Sequence, residues 1–167
     1  VPLDGSRPPE QVTTEPGMHG VTIDPNRRCF VDIVSSVDKP AVAVLRSLAN
    51  GGEMCTIFKN EDPLIGQLEV PPPEFVTFPS ADGKVTLQAA LYKPDPKVYG
   101  PGPYPTVVSC YGGPHVQFVS NSWAMTVDLR AQAMRSRGCL VLKVDSRGSS
   151  RRGLGFEAPV KYDMGNI

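Results

Sequence analysis

The residues best suited to chemistry lie between positions 104 and 115, where a short apolar run leads into a tyrosine, two glycines, a proline and a histidine. Residues 106–110 favour β structure and do not alternate in polarity, which predicts a strand covered on both faces. Gly112 and Gly113 permit backbone conformations that other residues avoid, so the turn can hold Tyr111 rigidly over a cleft. Ligands bind at this end of the strands in open α/β sheets. The alternative is a tyrosine that packs against the sheet edge with its hydroxyl group in water.

A second strand pattern follows at residues 139–145, about one helix further along the chain. Residues 121–137 lie between the two strands and place apolar side chains at nearly helical spacing. Polar residues that can cap a helix precede this segment, and Gly138 suits the left-handed position that follows a helix. Strand, helix and strand together predict an α/β fold with a parallel sheet.

Two further polar residues near these strands need an interpretation. Asp145 closes the second strand, and we expect its carboxylate to accept hydrogen bonds from the amides of Arg147 and Gly148 in the following turn. His115 is the histidine nearest to the glycine turn, but no serine or carboxylate lies at a spacing suited to joint catalysis. We therefore interpret His115 as a polar loop residue.

The composition excludes several classes of protein. Seventeen basic and seventeen acidic residues balance, so the sequence has no electrostatic signature of binding to nucleic acid or to anionic membranes. No stretch approaches the ~20 apolar residues that cross a bilayer. The four cysteines are scattered and lack a histidine set, which predicts reduced thiols without a disulfide framework or zinc. Neither glycine-rich nucleotide motif is present, and we expect no metal and no cofactor.

The N-terminal half has the pattern of short strands separated by turns. Strand candidates occur at residues 18–23, 29–35, 41–47 and 54–58. This spacing fits a sheet of the type found in propeller blades, although any small antiparallel meander has the same pattern. Residues 59–73 end in three prolines, which favour a stiff, extended linker. Residues 74–78 and 84–92 predict a hairpin whose turn contains Asp82 and Gly83.

Three sequence motifs resemble those of the prolyl oligopeptidase superfamily: YGGPHVQ at 111–117, DSRGSSRRGLGFE at 145–157 and KYDMG at 161–165. Within it they are most similar to the dipeptidyl peptidase IV branch and its dipeptidyl peptidase 8 and 9 type. The resemblance extends to residues 71–94, the family's entry into its catalytic domain, and more loosely to residues 17–45.

The resemblance implies a two-part enzyme. Residues 1–70 would be the end of an N-terminal β-propeller, and residues 71–167 the first part of an α/β-hydrolase domain with a Ser-Asp-His triad. The nucleophile motif G-x-S-x-G is absent from this chain, and in such hydrolases the triad follows further along the sequence. We therefore expect the chain to be a fragment or a truncated product that is inactive alone.

The same resemblance assigns roles to two residues. Tyr111 would be an oxyanion-hole donor, because the tyrosine of this motif has that role in the family. Arg130 would line the substrate cleft. The alternative is a cation on the helix surface, paired with Asp128 or with a distant acid.

The resemblance further implies a serine-type dipeptidyl aminopeptidase that acts on peptides with proline or alanine in the second position. It also implies a cytoplasmic location and leaves open a homodimer of the full-length protein. A prolyl oligopeptidase or an acyl-peptide hydrolase is the alternative within the same class. In a different class, the chain would be a non-catalytic protein that binds partners through its sheet surfaces.

Overall fold

The computed structural model describes residues 5, 6 and 8–164, and it divides the chain into two compact units. The first unit runs to Leu68 and includes Asn121–Trp123. The second unit comprises Glu69–Ser120 and the residues from Ala124 onward.

The first unit contains a four-stranded antiparallel sheet in which strands adjacent in sequence are also adjacent in space. Its elements are β1 (Met18–Ile23), β2 (Cys29–Ser36), β3 (Lys39–Ser47), β4 (Glu53–Lys59) and the short helix α1 (Pro63–Gln67). The predicted strands are therefore confirmed, with differences of one or two residues at their ends. Turn chemistry explains the first hairpin, since the amide of Arg27 donates to the carbonyl of Asp24 over 2.8 Å.

One face of this sheet is buried and carries a polar cluster. Phe30, Asp32 and Val34 alternate along β2 and are nearly inaccessible to solvent. The Asp32 carboxylate is fully buried and accepts hydrogen bonds from His19 Nδ1 and Arg46 Nε, each over 2.9 Å. A buried carboxylate is costly unless it is paired and hydrogen-bonded, and these two partners satisfy both oxygens.

The second unit contains a mixed sheet with the order β5-β6-β8-β7. Its strands are β5 (Glu74–Pro79), β6 (Thr86–Tyr92), β7 (Thr106–Cys110) and β8 (Leu140–Asp145). The helices are α2 (Pro96–Tyr99), α3 (Trp123–Thr126), α4 (Leu129–Arg135) and α5 (Leu154–Glu157), with a 3-10 turn at Ala158–Val160. β5 and β6 form the predicted hairpin, β6 and β8 are antiparallel, and β7 and β8 are parallel. The predicted strand–helix–strand unit is present between β7 and β8.

The helical segment of this unit differs from the prediction. A single helix over residues 121–137 was expected, but the structure has the two short helices α3 and α4. Asp128 causes the interruption, because its Oδ1 accepts the amides of Arg130 and Ala131 and thereby caps the start of α4. Gly138 has φ +84°, as predicted for the residue that ends the helix.

The prediction that β7 is covered on both faces was wrong. Val108 is 60% exposed, and Thr106 and Cys110 are also exposed, whereas Val107 and Ser109 are half-buried. Within the described residues β7 is an edge strand that pairs with β8 alone, and no helix in that part of the chain packs extensively on it, so its outer face stays open. β8 is an interior strand, and alternate residues along it are buried.

Candidate active site at the carboxyl ends of the parallel strands

Tyr111 is the first residue after β7 and lies at the carboxyl end of the parallel pair. Gly112 follows with φ +68°, a conformation that favours glycine. The Tyr111 ring packs on Gly113, two residues along the chain, since a Cβ atom added to Gly113 would lie 2.8 Å from ring carbon Cε1. The side chain is 57% exposed, and no group within the described part of the chain hydrogen-bonds to its hydroxyl. Tyr111 therefore presents a supported ring and an available donor.

The loop that carries Tyr111 is bound to the loop that follows β8. The amide of His115 donates to the carbonyl of Gly148 over 3.1 Å, and the amide of Gly148 donates to the carbonyl of Phe156 over 3.0 Å. Gly148 has φ +93°, and a Cβ atom at this position would lie 2.4 Å from Cγ1 of Val160. Only glycine tolerates both this positive φ and the close approach of Val160. Its carbonyl, which accepts the His115 amide, joins the two loops at this position.

Asp145 makes a second connection between these loops. Its carboxylate accepts the amide of Phe118 over 2.7 Å and the amide of Val119 over 3.2 Å. The predicted bonds to the Arg147 and Gly148 amides were wrong, since the Gly148 amide donates to a carbonyl instead. Burial raises the pKa of the Asp145 carboxyl above its ordinary value, although both amide bonds favour the charged form.

His115 has an exposed side chain, as expected of a polar loop residue. Its ring nitrogen Nδ1 lies 3.4 Å from Oε2 of Glu157, and its imidazole is 80% exposed. Its φ of +66° is uncommon for a residue other than glycine. The backbone of His115 therefore shapes the loop, and its side chain faces Glu157.

Arg130 is the second residue of α4 and is exposed. Its side chain lines a cavity of about 440 Å³ together with Ser109, Phe118 and Lys143. Tyr111 does not line this cavity. The structure thus places the two site residues inferred from the sequence in different surroundings.

Sequence reasoning missed an ion pair on the wall of the same cavity. The Lys143 ammonium group donates to Asp128 Oδ2 and lies 4.6 Å from the centroid of the Phe118 ring. Burial disfavours the charged Asp128, but Lys143 and the amides that Asp128 caps outweigh it and hold the pKa of this carboxyl below its usual value. A lysine inside an otherwise apolar strand was the available signal, since such a residue is seldom buried unless it is paired.

Other kinds of site have less support. Among the described residues, no group of three histidine, cysteine, aspartate or glutamate side chains could hold a metal ion. In the same part of the chain, no helix has the length and apolar character needed to span a membrane.

Comparison with known proteins gives a consistent set of relatives. The chain is 45% identical over 96 residues to dipeptidyl peptidase 8 of Mus musculus and of Homo sapiens, a match to 58% of the chain and 10% of each relative. It is 24% identical over 148 residues to the uncharacterized peptidase YuxL of Bacillus subtilis, a match to 89% of the chain and 21% of that protein. No protein-family model matches the chain.

A solved structure agrees with these matches. A protein described as a dipeptidyl aminopeptidase IV, from Bacteroides ovatus, superposes with a TM-score of 0.74 at 33% identity. The match covers 86% of the chain and 20% of that protein, so the chain spans between a tenth and about a fifth of its relatives. The chain is therefore a homologue of the dipeptidyl peptidase IV branch of the prolyl oligopeptidase superfamily and corresponds to one part of it.

Proposed function

We propose that the full-length protein is a serine-type dipeptidyl aminopeptidase that releases dipeptides with proline or alanine in the second position. Residues 71–167 would form the first part of its α/β-hydrolase domain, and residues 1–70 the end of its β-propeller. The sheet order β5-β6-β8-β7, with an antiparallel hairpin followed by a parallel pair, supports a hydrolase sheet. The antiparallel four-stranded meander supports the propeller assignment.

The observation that carries this proposal is the position of Tyr111. Acyl transfer develops negative charge on the carbonyl oxygen of the substrate, and a fixed donor aimed at that oxygen lowers the barrier. The Tyr111 hydroxyl is exposed at the carboxyl end of β7, and the ring rests on Gly113. In this role the phenol, together with a backbone amide, donates to the oxyanion and adds no covalent step.

The other reacting groups would come from the rest of the full-length protein. A serine would attack the carbonyl carbon, and a histidine oriented by an aspartate would take the serine proton and return it to the leaving amine. Arg130 would contribute to the substrate cleft through its exposed guanidinium group. We expect activity in the full-length protein and none in residues 1–167 alone.

We further propose a cytoplasmic location and peptide substrates, with a homodimer as the assembly to test. The similarity to dipeptidyl peptidase 8 supports the substrate class. The four cysteines are free thiols, which suits a reducing compartment.

A panel of three substrates tests the proposed specificity in the full-length protein. A dipeptidyl aminopeptidase hydrolyses glycyl-prolyl-p-nitroanilide, whose amino terminus is free, and leaves the N-blocked form intact. Cleavage of the N-blocked form would indicate a prolyl oligopeptidase, and preference for an N-acetyl-alanyl substrate would indicate an acyl-peptide hydrolase. A folded full-length protein that cleaves none of them and resists labelling by a fluorophosphonate would be the non-catalytic alternative.

A further inference from the structure

We propose that Asp145 is a positioning residue for Tyr111, because its carboxylate fixes the far end of the loop on which this tyrosine is carried. This inference rests on the proposed function, since it assumes that Tyr111 donates to the oxyanion.

The loop from Tyr111 to Val119 is long and contains no helix or strand. Its near end directly follows Cys110, the last residue of β7, and its far end is held by the bonds from the Phe118 and Val119 amides to Asp145. Asp145 is the last residue of β8, so the carboxylate joins the loop to an interior strand of the sheet. The loop is thus attached to two parallel neighbouring strands.

The hydrogen bonds from the Phe118 and Val119 amides suit an ionised Asp145 carboxylate as their acceptor. Asp145 is 2% exposed, and the Val119 side chain, at 3%, is also buried. Hydrogen bonds from amides to an ionised carboxylate are shorter and stronger than neutral ones, and the 2.7 Å bond to Phe118 fits this class. Removal of the acceptor would leave two amides without a partner in a buried environment, which favours rearrangement of the loop.

The middle of the loop has its own attachment to the same strand end. His115 donates its amide to the Gly148 carbonyl, three residues after Asp145. Ser149 interacts with the Asp145 carboxylate and donates its hydroxyl to the Ser146 carbonyl over 2.7 Å. Gly112 and Gly113 are the residues of the loop with the greatest backbone freedom. The bonds to Asp145 and to Gly148 restrict the part of the loop that follows these two glycines.

Position matters for an oxyanion donor because its contribution depends on distance and angle to an oxygen that becomes charged only in the transition state. A displacement of about 1 Å from a remote change can cost up to about a hundredfold in rate. Loosening of the loop should therefore lower kcat while KM changes little, since ground-state binding does not require the donor.

A double-mutant cycle in the full-length protein tests this inference. The variants are Asp145→Asn, Tyr111→Phe and the two combined, assayed with glycyl-prolyl-p-nitroanilide. We expect Asp145→Asn alone to lower kcat by about tenfold with KM unchanged. In the Tyr111→Phe background, the same change should cost almost nothing, because no donor remains to be positioned.

Each outcome of the cycle has a distinct meaning. An equal loss in both backgrounds, or an unchanged kcat in Asp145→Asn, would overturn the positioning role and leave the proposed function intact. An unchanged kcat in Tyr111→Phe would overturn the oxyanion role, and the positioning role with it.

Tyr92→Phe is the matched control for a loss of stability. The Tyr92 hydroxyl donates to the Met125 carbonyl over 2.5 Å, and neither of these two residues belongs to the loop from Tyr111 to Val119. This variant should lower Tm and leave kcat unchanged. If Asp145→Asn does not accumulate as folded protein, Ser149→Ala replaces it in the cycle. We expect it to cost about threefold in kcat, again only when Tyr111 is present.

Discussion

The ring of Tyr111 lies directly against the backbone of Gly113, so that a Cβ atom at position 113 would come within 2.8 Å of the ring. The aromatic ring that follows β7 therefore packs on Gly113, where a larger residue would displace it. Because Gly113 has no positive φ, its requirement is for space and not for an unusual backbone conformation.

Substitution of Tyr111 by phenylalanine should lower kcat of the full-length protein by about a hundredfold or more, because the oxyanion loses a donor. Tyr99→Phe is the matched control, since its hydroxyl donates to Ser136 near the amino end of the parallel strands. Steady-state kinetics and a thermal melt separate an effect on chemistry from one on folding. Equal kcat in Tyr111→Phe and the native protein would contradict the assignment.

Gly113→Ala should displace the Tyr111 ring and leave the fold intact. The three atoms nearest to the new methyl group would all belong to the ring of a partly exposed side chain, so the ring can shift at little cost. We expect kcat to fall by about tenfold with a change in Tm of a few degrees at most. Gly66→Ala, at a site with no neighbouring atom within 4 Å, should leave kcat unchanged. A Gly113→Ala variant with native kcat would show that the ring position is unimportant.

Gly148→Ala should destabilise the protein strongly. Its φ of +93° is unfavourable for alanine, and the added Cβ would lie 2.4 Å from Val160 Cγ1. We expect a loss of about 2–4 kcal/mol in the free energy of unfolding. Gly153→Ala separates the two causes, because Gly153 has φ +83° but no atom within 4 Å of its Cβ position. The control should lose only about 1 kcal/mol, and similar losses in urea unfolding of both variants would argue against the clash.

Unfolding stability should depend on pH through His19. Burial opposes the charged imidazole, but the Glu15 carbonyl and the Asp32 carboxylate outweigh it and raise the pKa of His19. A raised pKa in the folded state means that the stabilisation is complete below the unfolded pKa and is lost as the pH rises through the folded value.

The test compares urea unfolding at pH 5.5 and pH 8.5 in the native protein, His19→Gln and His115→Gln. From pH 5.5 to pH 8.5, the free energy of unfolding should fall by about 1 kcal/mol more in the native protein than in His19→Gln. The reason is that the imidazole of His19 loses its charge over this range, and its charge-assisted hydrogen bonds are lost with it. His115→Gln is the control, since His115 is exposed. A native pH dependence retained in His19→Gln would contradict the prediction.

Local features of the fold could be predicted because their causes are local. Proline and aspartate at the turns and glycine after a helix act through their own backbone preferences, and the four strands of the first sheet occur close to their predicted positions. The interrupted helix was missed because Asp128 can lie on a helix surface or cap a new helix. The choice depends on Lys143, fifteen residues away, which holds the other carboxylate oxygen.

The sequence by itself determined which residues form strands, where the glycine turn occurs, and that Tyr111 follows the end of a strand. Only the tertiary structure decided that Asp145 accepts the Phe118 and Val119 amides, that β7 has an exposed face, and that Arg130 lines a cavity without Tyr111. The physical reason is the distance along the chain over which each kind of interaction acts. Backbone preferences act within a few residues, whereas hydrogen-bond partners and burial depend on which distant segments the sheet brings together.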